Sequence, residues 1–366
     1  MDLGFAILLV ESILYGTRLG ASTSEVGWIG SAYGFSYLFM PAIIGRFGDR
    51  LPRKSCLLIA AIAQLSIAFF YRYVATKITD LIVGQLLLGV ANGFHWPALE
   101  AYISEKTAIS ISSHTRGMAN FCIAWSVGYS LGPLLAGLYS DYNIEDVLSL
   151  VVWIFAINFI TVLFGLPPLR NDLKNERISV INYPNQMTST RETSSWFIGM
   201  ILYASVAKVN LTYFANYAKV STGLAWSGSQ VGVVLLLFGL GRTSYFLLGG
   251  FIKNSRRAIQ CAFFIIGFLL MILTFCQDPL IIAVIMGIFG FFGGLIYLQS
   301  LELLLRQESK LKGAKAGLFE SAIGLGGTLS PLFAGFLGEI SLLLPFLTFA
   351  CLILSFSIFD FFLAKN

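Results

Sequence analysis

Charge is what this sequence has least of. Asp, Glu, Lys and Arg together make up 12% of its 366 residues, against roughly 25% in a soluble domain. With 57% apolar residues, a polar shell this thin cannot cover a soluble core. A soluble enzyme, a nucleic-acid-binding module and a disordered chain are therefore excluded, and most of the chain has lipid as its solvent. Histidine is almost absent, with only His95 and His114. The five cysteines, Cys56, Cys122, Cys261, Cys276 and Cys351, lie in or beside apolar runs and form no CxxC or Cys/His cluster. No metal site is implied, and the thiols read as free and packed like small hydrophobes. There is no GxxxxGK[ST] run, so ATP is not the direct energy source. A cleavable signal peptide is not expected either: the start lacks a basic segment and carries Glu11 inside its apolar stretch.

What the chain does have is a series of long apolar runs. A spanning helix needs about 20 mostly apolar residues. Twelve stretches are candidates: 3–17, 26–45, 55–74, 79–102, 117–139, 146–167, 195–217, 228–251, 258–276, 279–303, 315–338 and 341–363. The first is the shortest. Most connections are brief, so successive spans run antiparallel. The exception is 168–194, polar, charged and near the middle of the chain, which reads as a linker between halves 1–167 and 195–366. Of the 24 lysines and arginines, 18 fall in the connections 2–3, 4–5, 6–7, 8–9 and 10–11 or at the C-terminus. That asymmetry predicts that both termini and the linker are cytoplasmic, in a multi-pass protein of the cell membrane.

The halves repeat one another. Gly45 and Gly249 each precede a basic turn, Cys56 matches Cys261, Leu99-Glu100 matches Leu301-Glu302, and Pro133 in GPLLAG matches Pro331 in SPLFAG. Parallel repeats of this kind place a binding site between the halves near the bilayer midplane. The predicted fold class is an all-α integral membrane protein of twelve transmembrane helices in two pseudo-symmetric six-helix bundles.

At this point the chain resembles the major facilitator superfamily over essentially its whole length. The sharpest motif is Gly45-Arg46-Phe47-Gly48-Asp49-Arg50-Leu51-Pro52-Arg53-Lys54, between spans two and three. It departs from the family pattern only at Pro52, where glycine is usual. The resemblance implies a cytoplasmic gate. Asp49 would face the start of span eleven near Ala314–Gly317, where a helix dipole favours an anion, and the basic residues Arg50, Arg53 and Lys54 would pair with Glu100. The plainer reading is that these basic residues only set topology. A second match, Gly128 to Gly137 in span five with Gly132 and Pro133, is similar to the family's fifth-helix glycine–proline motif. It reads either as close helix packing through small residues or as a mark of exchange. In span four, Gln85 stands where many proton-coupled drug exporters of the family carry arginine.

Ionisable residues inside spans are costly and usually face a cavity or a partner. Here they are Glu11, Lys208, Arg242 and Glu320, with His95 beside Trp96 and Pro97. By resemblance all five point inward as substrate or proton candidates. Each also has a structural reading: Glu11 and His95 as hydrogen-bonded core groups, and Lys208 and Arg242 as ion-pair partners of Glu320. Glu302 would mirror Glu100 and pair with Arg256 or Arg257. The predicted function is a secondary transporter that moves a small organic solute by alternating access, read as proton-coupled efflux. Its partners would be that solute, protons and the lipid bilayer, without nucleic acid or cofactor, in a monomer. The alternative is an uptake symporter or uniporter for a sugar, organic acid or other metabolite. A non-transporting sensor or channel is a third reading. An intramembrane enzyme finds too few nucleophile–base or metal-ligating groups.

Overall fold

A computed structural model describes residues 1–47, 51–107, 111–166, 190–248, 256–306 and 312–363. Asp49, Arg50, Gly249 and nearly all of the 168–194 linker lie outside them. The elements are α1 (Asp2–Arg18), α2 (Thr23–Phe47), α3 (Arg53–Tyr73), α4 (Ile78–Thr107), α5 (Ile111–Ser140) and α6 (Ile144–Ile160). They continue with α7 (Thr190–Leu211), α8 (Tyr213–Lys219), α9 (Gly228–Leu248), α10 (Arg256–Phe275), α11 (Pro279–Arg306), α12 (Lys312–Ile340) and α13 (Leu344–Leu363). No strand occurs among the described residues.

Twelve predicted spans become thirteen helices because the seventh is broken. α7 stops at Leu211, Thr212 is distorted from regular helix geometry with φ −109° and ψ −65°, and α8 resumes at Tyr213. The sixth ends in a π-helical turn, Thr161–Gly165. Among the described residues, ten helical segments are long and apolar enough to cross a membrane. The other two, α1 and α2, have particular reasons. α1 has 17 residues. α2 has 25, but its apolar run is diluted by the glycines, serines and tyrosines of the face it turns to α12. The outer surface is apolar: Phe164, Phe275 and Trp153 are among the most exposed side chains, as lipid-facing residues must be. All five cysteines are free, as expected, but Cys261 and Cys351 are exposed rather than packed inside.

α2 lies along α12, and α5 lies along α9, and these two seams join the first six helices to the later ones. Small residues make the approach possible. A Cβ on Gly27 would sit 2.7 Å from the Pro331 carbonyl oxygen and 3.0 Å from Gly335 Cα. In the span-five motif, Gly128 and Gly132 pack against α1, where a Cβ would come within 2.8 Å of Asp2 and 2.5 Å of Ala6. Gly137 packs instead across the α5–α9 seam, with Gly232 Cα 2.9 Å from a Cβ there. Three of the motif's small positions thus act as contact surfaces.

Candidate functional site: a cavity between two helix seams

The turns after α1, α5, α8 and α12 gather at one end of the bundle, here called the Asp141 end. Thr17 donates to Asn216 Oδ1 at 3.0 Å, and Tyr213 OH donates to the Leu342 carbonyl at 3.1 Å. Two carboxylates bind that end together by capping helix starts across the seams. Asp141, just after α5, accepts from the Gly228 and Ser229 N–H groups at 2.7 and 2.9 Å and from Lys219 Nζ at 2.9 Å. Glu339, near the end of α12, accepts from the Ser24 N–H of α2 at 2.9 Å. Each acid faces the N-terminus of a helix across the seam, where backbone donors and dipole favour a negative charge.

Partial burial pushes the Asp141 carboxyl up, but the bonds from Ser229, Lys219 and Gly228 outweigh it and hold the group down at about 2. A depressed carboxylate stabilises the closed end fully above its ordinary value near 3.8 and loses that contribution only as pH falls toward 2. The Asp141 cap is therefore expected to hold unchanged between pH 8 and 5. Asp141→Asn should loosen it at every pH in that range. The check is labelling by a membrane-impermeant maleimide of a cysteine placed at Ala207, in a background without the native cysteines. Faster labelling at pH 7 is the expected result, and an unchanged rate would refute the capping role.

Below that end, between the seams, lies a cavity of about 120 Å³. Its wall is mainly aromatic: Tyr33 and Tyr37 from α2, Trp96 from α4, Trp125 and Tyr129 from α5, Tyr203 from α7 and Tyr297 from α11. The rings interlock, with Trp125 edge-on to Tyr297 at 5.1 Å and to Tyr129 at 5.5 Å, and Tyr33 stacked on Tyr37 at 5.1 Å. Phe5 is the phenylalanine among the lining residues; many others face outward.

Three of the five inward candidates line this cavity: Lys208, Arg242 and Glu320. Glu320 accepts a 2.7 Å hydrogen bond from Tyr37 OH, which ties α12 to α2. The carboxyl of Glu100, 2% exposed on α4, lies beside that of Glu320, and neither of its oxygens has a hydrogen-bond partner among the described residues. Glu100 thus sits in the buried cluster beside Glu320; Asp49 and Arg50 of the basic turn after α2 lie outside the described residues. Arg242 is held by cross-seam contacts. Its Nε donates to Ser126 Oγ at 3.0 Å, it lies near Tyr203 on the cavity wall, and its guanidinium lies 4.4 Å from the Trp125 ring. Lys208 has its ammonium 4.7 Å from the Tyr33 ring. No ion pair within 4 Å joins Lys208 or Arg242 to Glu320, so the structural pairing read as one possibility from sequence is not formed.

The other candidates lie apart from the cavity. Glu11 is 1% exposed on α1, and neither of its carboxyl oxygens has a hydrogen-bond partner among the described residues. His95 is buried with its ring edge-on to Trp96 at 5.7 Å, and its Nδ1 is unpaired. Lys54 donates to the Leu166 carbonyl at 2.9 Å. Arg53 opens α3, and Gly45 lies near the end of α2. The side chains of Glu302 and Arg256 lie outside the described residues, so their pairing is not described. Sequence reading missed the tyrosines. The available signal was position: Tyr33/Tyr37 and Trp125/Tyr129 are i,i+4 pairs at mid-span, whereas interfacial tyrosines cluster near span ends.

A bundle of membrane-length helices around a central cavity, with two small-residue seams and buried charges in its wall, is an architecture that suits a transport protein. The family model of the Major Facilitator Superfamily matches residues 1–298, and the chain belongs to that superfamily. It is 21% identical over 319 residues to an uncharacterized MFS-type transporter, YceJ, of Bacillus subtilis, covering 86% of this chain and 80% of the relative. It is 24% identical over 293 residues to the class E tetracycline resistance protein of Escherichia coli, covering 75% and 69%. Among solved structures, the human organic anion transporter MFSD10 superposes with a TM-score of 0.70 at 15% identity, covering 98% of this chain and 95% of that one. The fold is thus that of the superfamily, and the chain is a multi-pass membrane protein.

Proposed function

We propose that the chain is a proton-coupled secondary transporter that exports a small organic solute through the cavity by alternating access. The observation that carries this reading is the buried carboxyl of Glu320 on the cavity wall, bonded to Tyr37, with the buried carboxyl of Glu100 beside it. Two buried carboxyls side by side repel when both are ionised, which favours a proton on one of them. A site that must hold a proton in one state and release it in another is what coupling needs. Export is supported by the glycine–proline motif of span five and by the likeness to a tetracycline resistance protein.

In this reading the halves 1–167 and 195–366 rock about the cavity, with 168–194 as linker. The lysine and arginine distribution puts the linker and both termini in the cytoplasm of a plasma-membrane protein, and so the Asp141 end outside. A monomer is sufficient, since one chain encloses the cavity. Asp49, with Arg50, Arg53 and Lys54, forms the cytoplasmic gate against the start of α12. Asp49→Asn should impair transport at normal membrane abundance. Glu100 belongs in this reading to the proton pair.

The test is reconstitution in liposomes that enclose a pH-sensitive dye. Sugars, amino acids, organic anions and lipophilic cations are supplied in turn. A solute whose gradient drives proton movement against it supports exchange. Co-directional movement would replace export by uptake symport, and solute flux without proton movement would remove the coupling.

A further inference from the structure

We propose that the solute bound in this cavity is a single-ring organic monocarboxylate, with its carboxylate on Lys208 and Arg242 and its ring against the aromatic wall. The inference rests on the reading of the cavity as the transport site.

Lys208 is the first observation. It is 8% exposed and lines the cavity, yet it has no hydrogen bond or ion pair among the described residues, only the face of Tyr33 at 4.7 Å. A buried cation without a counter-ion is costly, and an anion placed beside it relieves that cost. Arg242 is the second. Its contacts to Ser126, Tyr203 and the Trp125 ring orient it but give it no negative partner, and a guanidinium has five donors. A fixed guanidinium with spare donors suits a carboxylate.

Charge counting favours a monoanion. Two cations face the cavity. The Glu320–Glu100 pair contributes one negative charge while it shares a proton. The wall is then left with a single positive charge, which a monoanion neutralises and a dianion overshoots. A lipophilic cation would add to the excess. Size limits the body to no more than one ring: the cavity measures about 120 Å³, somewhat less than the roughly 150 Å³ of an apolar cavity that takes benzene. The stacked and edge-on rings of Trp125, Tyr129 and Tyr297 offer an aromatic ligand the contacts that aromatic pairs favour.

The probe is benzoate, with benzamide as its neutral isostere and benzylamine as its cationic counterpart. Binding is measured by tryptophan fluorescence and thermal shift on the full-length protein in nanodiscs. Benzoate should bind saturably and at least tenfold more tightly than benzamide, and benzylamine should not bind. Lys208→Met should weaken benzoate at least tenfold and leave benzamide unchanged, while Lys208→Arg restores part of the loss. Where Lys208→Met does not fold, the benzoate–benzamide ratio of the natural protein decides alone. Equal binding of the two, absence of saturable benzoate binding, or benzoate binding indifferent to Lys208 in a folded variant would each overturn the proposal. Liposome flux separates this outcome from the fate of the transporter reading. Flux of a neutral or cationic solute with no benzoate binding sinks the ligand class and keeps the transporter. Lys208-dependent benzoate binding with no flux of any solute keeps the site and sinks the transporter.

Discussion

Glu320→Gln is expected to abolish accumulation driven by a pH gradient while leaving solute exchange across the membrane in place. The amide is nearly isosteric and keeps an oxygen that can accept from Tyr37 OH, now at 2.7 Å, so the α2–α12 seam should survive. It can no longer take up or release a proton. The loss should be at least tenfold in driven accumulation, with counterflow of unlabelled against labelled solute little changed. Glu100→Gln should resemble it, because the two buried carboxyls lie side by side and the charge on one bears on the other. Glu11 is the control. It is equally buried and lacks a hydrogen-bond partner, but it lies off the cavity wall, so Glu11→Gln should keep driven transport if Glu320 is the carrier. The opposite pattern, with driven movement lost in Glu11→Gln and intact in Glu320→Gln, would transfer the role to α1.

The carboxyl pair also shows where sequence reading reaches its limit. Span number, the helical class and the broad inward direction of Lys208, Arg242 and Glu320 were legible, because the lipid environment makes apolar length and rare buried charge into strong signals. Partner choice was not legible. Glu100 lies only ten residues from Val90 of mid-span α4, yet whether its side chain faces the basic turn or the cavity depends on helix rotation, which packing sets. Pairing of Lys208 with Glu320 was equally plausible from spacing, and only side-chain geometry shows Tyr37 bonded to Glu320 with Glu100 beside it. The break at Thr212 left no proline or glycine to announce it. The helices α4, α5, α11 and α12 also run past their apolar stretches at the end opposite Asp141, because backbone hydrogen bonding continues a helix where hydropathy stops marking it. The cross-seam caps on α2 and α9 join residues far apart in sequence, Ser24 to Glu339 and Asp141 to Gly228, and no local pattern encodes them.

Gly27→Val should trap the protein open at the Asp141 end and reduce transport at least tenfold without unfolding it. The Cβ of any larger residue would lie 2.7 Å from the Pro331 carbonyl oxygen and 3.0 Å from Gly335 Cα. Those atoms are backbone, so neither neighbour can swing aside. Overpacking of this kind costs about 1–3 kcal/mol. The cost falls on the closed arrangement alone, because the seam parts when that end opens. A bias of that size shifts the balance of closed and open states by roughly 5- to 150-fold, enough to stall a cycle that must pass through both. Gly137→Val should act in the same direction on the other seam, where Gly232 Cα lies 2.9 Å from the added carbon. Gly287→Ala is the control in a comparable helix: its Cβ would meet only the Leu237 oxygen, at 3.9 Å. The readout is transport together with maleimide labelling of a cysteine at Ala207 on the cavity wall. Slow transport with fast labelling in Gly27→Val and Gly137→Val, and neither in Gly287→Ala, identifies seam closure as the step affected. Slow transport with unchanged labelling would mean that the glycines serve folding or some other step, and that the α2–α12 approach at this end is not part of the cycle.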